Sequence, residues 1–103
     1  MSTMYITEFA DVGKMGGVVA VAAIPATAKQ NITFTATAGQ SAAFQSNTRL
    51  VRVHVDGIAS ILFGTNPTAT ANVDARMTAG QTEYFDVSTV MSQGYKVSAV
   101  TST

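Results

Sequence analysis

No cysteine occurs among the 103 residues of this chain. That excludes disulfide staples, zinc ribbons and thiol nucleophiles, and leaves packing and strand pairing to hold the fold. Charge is scarce as well: six basic and six acidic side chains cancel, and 12% of residues are charged against about 25% in an ordinary soluble domain. A surface so lightly charged is poorly defended against association, which favours a protein whose normal state is an assembly. The basic residues Lys14, Lys29, Arg49, Arg52, Arg76 and Lys96 are scattered, so no stripe is present to neutralise phosphates and a nucleic-acid partner is not expected. No apolar run approaches the roughly 20 residues of a membrane-spanning helix. The longest, Val18 to Ile24, resembles a secretory core, but Glu8 and Asp11 precede it beside Lys14 and deny it the positive flank such signals use.

The chain has little of what catalysis needs. Its one histidine, His54, has no serine in a nucleophile elbow to serve. His54 and Asp56 share a side of a strand and, with Glu83 or Asp86, offer a conceivable divalent-metal set. The turn between strands accounts for Asp56 more simply. The carboxylates Glu8, Asp11, Asp56, Asp74, Glu83 and Asp86 show no spacing that would bring two across a cleft, and strand-end carboxylates of this kind are expected to be solvated. Gly13, Gly16 and Gly17 match no phosphate loop or dinucleotide fingerprint. Asn31-Ile32-Thr33 is a glycosylation sequon placed in mid-strand. The expectation is a non-enzymatic protein with no cofactor, no metal and no small-molecule substrate.

What is present is alternation with a period of two. Met4 to Phe9 reads as a first strand with Tyr5, Thr7 and Phe9 on one face. Val18 to Ile24 reads as a strand apolar on both faces or a short helical turn, ended by Pro25. Gln30 to Thr37 alternates with Ile32, Phe34 and Ala36 inward. Ser41 to Gln45, Val73 to Met77, Thr82 to Val87 and Tyr95 to Thr101 supply further candidates. The spacing predicts an all-β fold, a compact antiparallel β-sandwich or a jelly roll or barrel of about eight short strands. Residues 1–17 are expected to be an N-terminal strand and flexible arm, and 18–103 a single β-sandwich domain. Thr37-Ala38-Gly39-Gln40-Ser41 followed by Phe44 is echoed by Thr78-Ala79-Gly80-Gln81-Thr82 followed by Phe85, a hint of two similar halves.

The segment from Thr48 to Ala71 carries the sharpest expectation. Val51, Val53 and Val55 alternate with Leu50, Arg52 and His54, Asp56-Gly57 follows, and Ile58 to Phe63 runs back. Asp-Gly suits the positive φ angles of a type I′ turn, so a β-hairpin is predicted. Its register would set Val55 against Ile58, Val53 against Ser60 and Val51 against Leu62 on the core side. His54 with Ala59, Arg52 with Ile61 and Leu50 with Phe63 would then lie on the other side. Arginine and aromatic groups concentrate at interface centres. Leu50, Arg52, His54, Ile61 and Phe63 are therefore expected to form a protein-contact surface, joined by Asn66 and Pro67 in a long loop from Gly64 to Asn72. Covering of Arg52, Ile61 and Phe63 within one chain would overturn that expectation.

Ser41-Ala42-Ala43-Phe44, Thr48-Arg49 to Val55 and Gly64-Thr65-Asn66-Pro67-Thr68-Ala69-Thr70 then carry a resemblance, together with Ala75-Arg76-Met77 and Gln81-Thr82-Glu83-Tyr84-Phe85. In the order of these segments, the last two thirds of the chain resembles small structural proteins of tailed bacteriophages. The resemblance implies a virion component, first of all a capsid decoration or cement protein. Such a protein is made in the host bacterial cytoplasm, sits on the capsid exterior, contacts the major capsid protein and assembles as a homo-oligomer. The alternative it leaves open is a tail, fibre or receptor-recognition module.

Overall fold

The computed structural model describes residues 1–10, 12–15, 19–22, 28–90 and 93–103, with side chains described outside 12–15 and 19–22. Strands β1 (Ser2–Phe9), β2 (Val12–Met15), β3 (Val19–Ala22), β4 (Ala28–Phe34) and β5 (Gly39–Gln40) are followed by β6 (Leu50–Val55), β7 (Ala59–Gly64), β8 (Ala75–Met77), β9 (Thr82–Asp86) and β10 (Lys96–Thr101), with a 3₁₀ turn at Ser88–Val90. Eight of them build two antiparallel four-stranded sheets, ordered β4-β1-β6-β9 and β5-β10-β7-β8. The fold is an all-β sandwich, and the two sheets remain separate instead of closing into a barrel.

Alternation decides which side of each strand faces the core. Met4 and Ile6 of β1 and Val51, Val53 and Val55 of β6 meet Ala59, Ile61, Val97 and Ala99 of the facing sheet, with Phe34, Phe44, Met77 and Val87 closing the ends. β1 lies between β4 and β6, Met4 standing opposite Ile32 on one side and Val55 on the other. Residues 2–9 therefore belong to the middle of a sheet, and the sandwich does not begin at residue 18. Beyond them β2 pairs with β3, Val12 opposite Ala22. This small hairpin lies on the chain segment linking β1 to β4, and its substantial contacts are between its own two strands. Residues 11, 16–18 and 23–27, including the ends of the apolar run at 18–24, lie outside the described residues.

The predicted hairpin at Asp56-Gly57 does not form. β6 pairs with β1 and β9, while β7 pairs with β10 and β8, so the chain crosses from one sheet to the other between Val55 and Ala59. Neither Asp56 nor Gly57 has the positive φ of a type I′ turn. Asp56 is tied to the start of β1 instead: its carboxylate accepts from the Thr3 amide at 2.7 Å, and its own amide donates to the Thr3 carbonyl. The physical reason lies in the two alternations. Side by side, β6 and β7 would leave Ile61 and Phe63 on the face opposite Val51, Val53 and Val55. Placed across the core, both strands turn their most apolar sets toward each other. Ile61 is 2% exposed, while Leu62, predicted inward, is 36% exposed.

The sequence echo marks a repeat of topology. In chain order β1, β4, β5 and β6 correspond to β7, β8, β9 and β10, and the orders β4-β1-β6-β9 and β8-β7-β10-β5 then coincide. Each half lends its third strand to the other half's sheet. The two echoed phenylalanines converge on one residue: the Phe44 and Phe85 rings lie 6.2 and 4.9 Å from Phe63, both tilted by just over 50°. Ser41 to Phe44, predicted as a strand, follows β10 through bonds from the Ser41 and Phe44 amides to the Val97 and Tyr95 carbonyls. Ala36, predicted inward, is exposed past the end of β4.

The loop from Gly64 to Asn72, expected to reach a neighbour, lies over the outer side of its own sheet. Its Ala69 amide donates to Ser98 Oγ, and the Asn72 amide to Ser60 Oγ and Ser102 Oγ. This explains how Ser60 and Ser98 are fully buried on a face that the core does not cover.

Candidate functional site

With one sheet roofed by that loop, the outer face of the other, β4-β1-β6-β9, is the broad open surface among the described residues. Strand pairing lines its side chains into two rows across all four strands. The first runs Lys29, Thr7, Arg52, Tyr84, and the second Asn31, Tyr5, His54, Thr82. Such rows arise because residues opposite one another in adjacent strands point to the same face, with strands about 4.8 Å apart. Tyr84 is 55% exposed and Tyr5 39%.

Around Tyr5, Thr7, Lys29, Asn31, Arg52, His54 and Asp56 the surface dips into a shallow open depression of about 530 Å³. His54 is held in place: its Nδ1 shares a 2.7 Å hydrogen bond with Thr82 Oγ1, and its ring lies 6.0 Å from that of Tyr5 at 48°. At one end of the face Leu50 stands between Phe9 and Asp86. Phe9 is buried there, outside the main core cluster.

The expected contact residues are thus divided. Leu50, Arg52 and His54 lie on this outer face, half-buried. Ile61 is in the core, and Phe63 packs against it between Phe44 and Phe85. A contact role for Ile61 and Phe63 is withdrawn, because the chain itself covers them. Pro67 is buried, and its carbonyl accepts from Gln40 Nε2 at 2.7 Å, while exposed Asn66 accepts from the same amide. Tyr5, Thr7, Lys29 and Tyr84 were missed. Their signal is the polar side of each strand's alternation, which does not say which strands are neighbours.

The chemistry-bearing groups elsewhere are dispersed. Glu8, expected to be solvated, is 1% exposed and accepts from Thr48 Oγ1 at 2.7 Å, the Gln45 amide at 2.8 Å and Gln30 Nε2 at 3.2 Å. It clamps the 45–48 segment to β1. Asp86 accepts from the Ser88 amide, and hydrogen bonds from Ser88, ahead of the positive charge of Arg49, hold its carboxyl below the ordinary value. Glu83 stands opposite Val53, on the other side of the sheet from His54, and accepts from Gln81 Nε2. Among the described residues no three of His, Cys, Asp or Glu cluster so as to hold a metal ion. No helix there is long and apolar enough to cross a membrane.

No protein-family model, curated protein or solved structure matches this chain.

Proposed function

We propose that this chain is a non-enzymatic binding module that works through the outer face of the β4-β1-β6-β9 sheet, as a decoration or cement protein on a phage capsid. The observation that carries the binding role is the open face itself. It sets Tyr5 and Arg52 on the two central strands, Tyr84 on the edge strand beside Arg52 and Leu50 toward one end, the residue types that anchor protein interfaces. The phage setting rests on the sequence resemblance.

The physics of cementing suits so small a module. A ligand that binds only the assembled shell stabilises it, and the gain grows as binding tightens. Repeated copies of a homo-oligomer on a lattice of major capsid protein add avidity without a large area per copy. The β2–β3 hairpin, whose substantial contacts are between its own two strands, is the proposed arm toward a neighbour.

A tail, fibre or receptor-recognition role is the second reading, and exposed Tyr5, set between Asn31 and His54 on the open depression, favours it. Cryo-electron microscopy of particles carrying a tagged copy of this chain separates them. Density on the shell lattice supports cementing, density at the tail tip supports recognition, and absence from the particle removes both.

A further inference from the structure

We infer that the row Lys29–Thr7–Arg52–Tyr84 is an acceptor for carboxylate side chains, so that the partner surface is an acidic protein segment. The inference deepens the proposed docking role of this face and rests on it. The argument begins with charge. Lys29 and Arg52 stand on either side of Thr7 in a single row, which places them roughly 9–10 Å apart.

Among the described residues no hydrogen bond or ion pair engages either cation. Arg52 is nevertheless half-buried. A guanidinium presents five donors in a planar fork that matches a carboxylate in a bidentate pair, and partial burial raises the worth of such a pair above that of a free surface contact. Of the carboxylates on this face, Asp56 lines the same depression and accepts from the Thr3 amide, and Asp86 lies at the far end and accepts from Ser88. Lys29 and Arg52 outnumber the one carboxylate of the depression, in a chain whose formal net charge is zero. Thr7 adds a hydroxyl between the two cations, and Tyr84 a phenol at the end of the row.

The ring geometry chooses between two carriers of carboxylate, an acidic sugar and an acidic peptide. Sugars stack on aromatic faces left open. The Tyr5 ring is instead packed at 48° against His54, and Tyr84 is two strands away from it and one row over. The two tyrosines form no common platform. They fit the flanks of an extended polypeptide whose acidic side chains reach Arg52 and Lys29.

The test is a nuclear magnetic resonance titration of the whole protein with a blocked peptide of alternating Glu and Ser. A peptide of alternating Gln and Ser and an oligogalacturonate serve as comparisons. Shifts confined to Thr7, Lys29, Arg52 and Tyr84 are expected with the Glu peptide alone, weakening as salt rises. Arg52→Gln and Lys29→Gln should each raise the Kd about five- to tenfold with the rest of the spectrum unchanged.

Equal response to the Gln peptide, preference for the oligogalacturonate, or no shift at millimolar Glu peptide overturns the inference. Failure of the docking role looks different. In that case the Glu peptide binds this row while no copies are found on particles. Particles decorated equally by wild type and by Arg52→Gln would leave the docking role standing and the carboxylate acceptor refuted.

Discussion

Val55 and Ala59, separated only by Asp56, Gly57 and Ile58, belong to opposite sheets: Val55 stands opposite Met4, and Ala59 opposite Thr101 and Met77. The crossing is pinned by the Asp56 carboxylate on the Thr3 amide. Asp56→Ala should therefore cost about 1 kcal/mol, the net worth of one such bond. Asp56→Asn keeps the acceptor oxygen and should stay within about 0.5 kcal/mol of wild type. Denaturant unfolding measures both. A gain in stability with Asn, the residue that favours a type I′ turn, would instead indicate a hairpin.

Strand β1 and the β2–β3 hairpin should respond oppositely to removal. Deleting residues 1–9 takes Met4 and Ile6 from the core and strips pairing from both β4 and β6, so the protein should fail to give a cooperative melt. Replacing residues 12–22 with a short Gly-Asn-Gly connection should leave a melting temperature near wild type. If the hairpin is the arm proposed above, the same variant attaches less well to shells, and undiminished occupancy would sink that role.

Gly39 and Gly80 hold the same place in the sequence echo for different reasons. A Cβ on Gly39 would lie 2.6 Å from the Thr33 carbonyl oxygen, a backbone atom that cannot swing aside. Gly80 has open space around it but a φ of +80°. Gly39→Ala should cost about 1–3 kcal/mol as an overpacked site, and Gly80→Ala about 1–2 kcal/mol as a left-handed one. Gly80→Asn should recover part of that loss, whereas Gly39→Asn should not. Chemical denaturation of the four variants separates the two mechanisms.

Asn72 fastens the roofing loop to the C-terminus. It adopts φ +61°, and its Oδ1 accepts from Ser102 Oγ at 2.6 Å and from the Thr103 amide at 3.0 Å. Asn72→Gly keeps the backbone conformation and loses the acceptor, which should cost about 1–2 kcal/mol. Asn72→Ala adds the left-handed penalty and should be lower still by about 1 kcal/mol. Hydrogen exchange at the Ala69 amide, bonded to Ser98, should quicken in both.

The lowered pKa of Asp86 has a definite sign. Because the folded value lies below the ordinary 3.8, its contribution to stability is present above that pH and is lost as pH falls through the folded value. Ser88→Ala removes the largest cause, so the Asp86 carboxyl should titrate closer to its ordinary value and the acid limb should lose that contribution. Carboxyl-carbon resonance titration reads the shift directly. The group is largely exposed, so the effect on overall stability is small.

Much of the fold was legible from alternation alone. The strands ending at Phe9, Val55, Asp86 and Thr101, the inward set Val51, Val53 and Val55, and the sandwich class follow from local pattern, because a strand must turn its apolar side to something. The echo of Thr-Ala-Gly-Gln was visible too, although not its meaning as two halves that exchange their third strands.

Partner choice was decided only in three dimensions. Each strand alternates in the same way whether β6 pairs with β7 or faces it across the core, and the arrangement adopted is the one that turns Ile61 and Phe63 toward Val51, Val53 and Val55, with β1 and β9 on the two edges of β6. That choice moved Ile61 and Phe63 inside and put Lys29, Thr7, Arg52 and Tyr84, drawn from four separate strands, into one row. The sequence by itself determined which side of each strand is polar. Only the tertiary structure decided which polar sides stand together, because backbone hydrogen bonds between strands carry no residue names and their arrangement is set by the packing of the whole core.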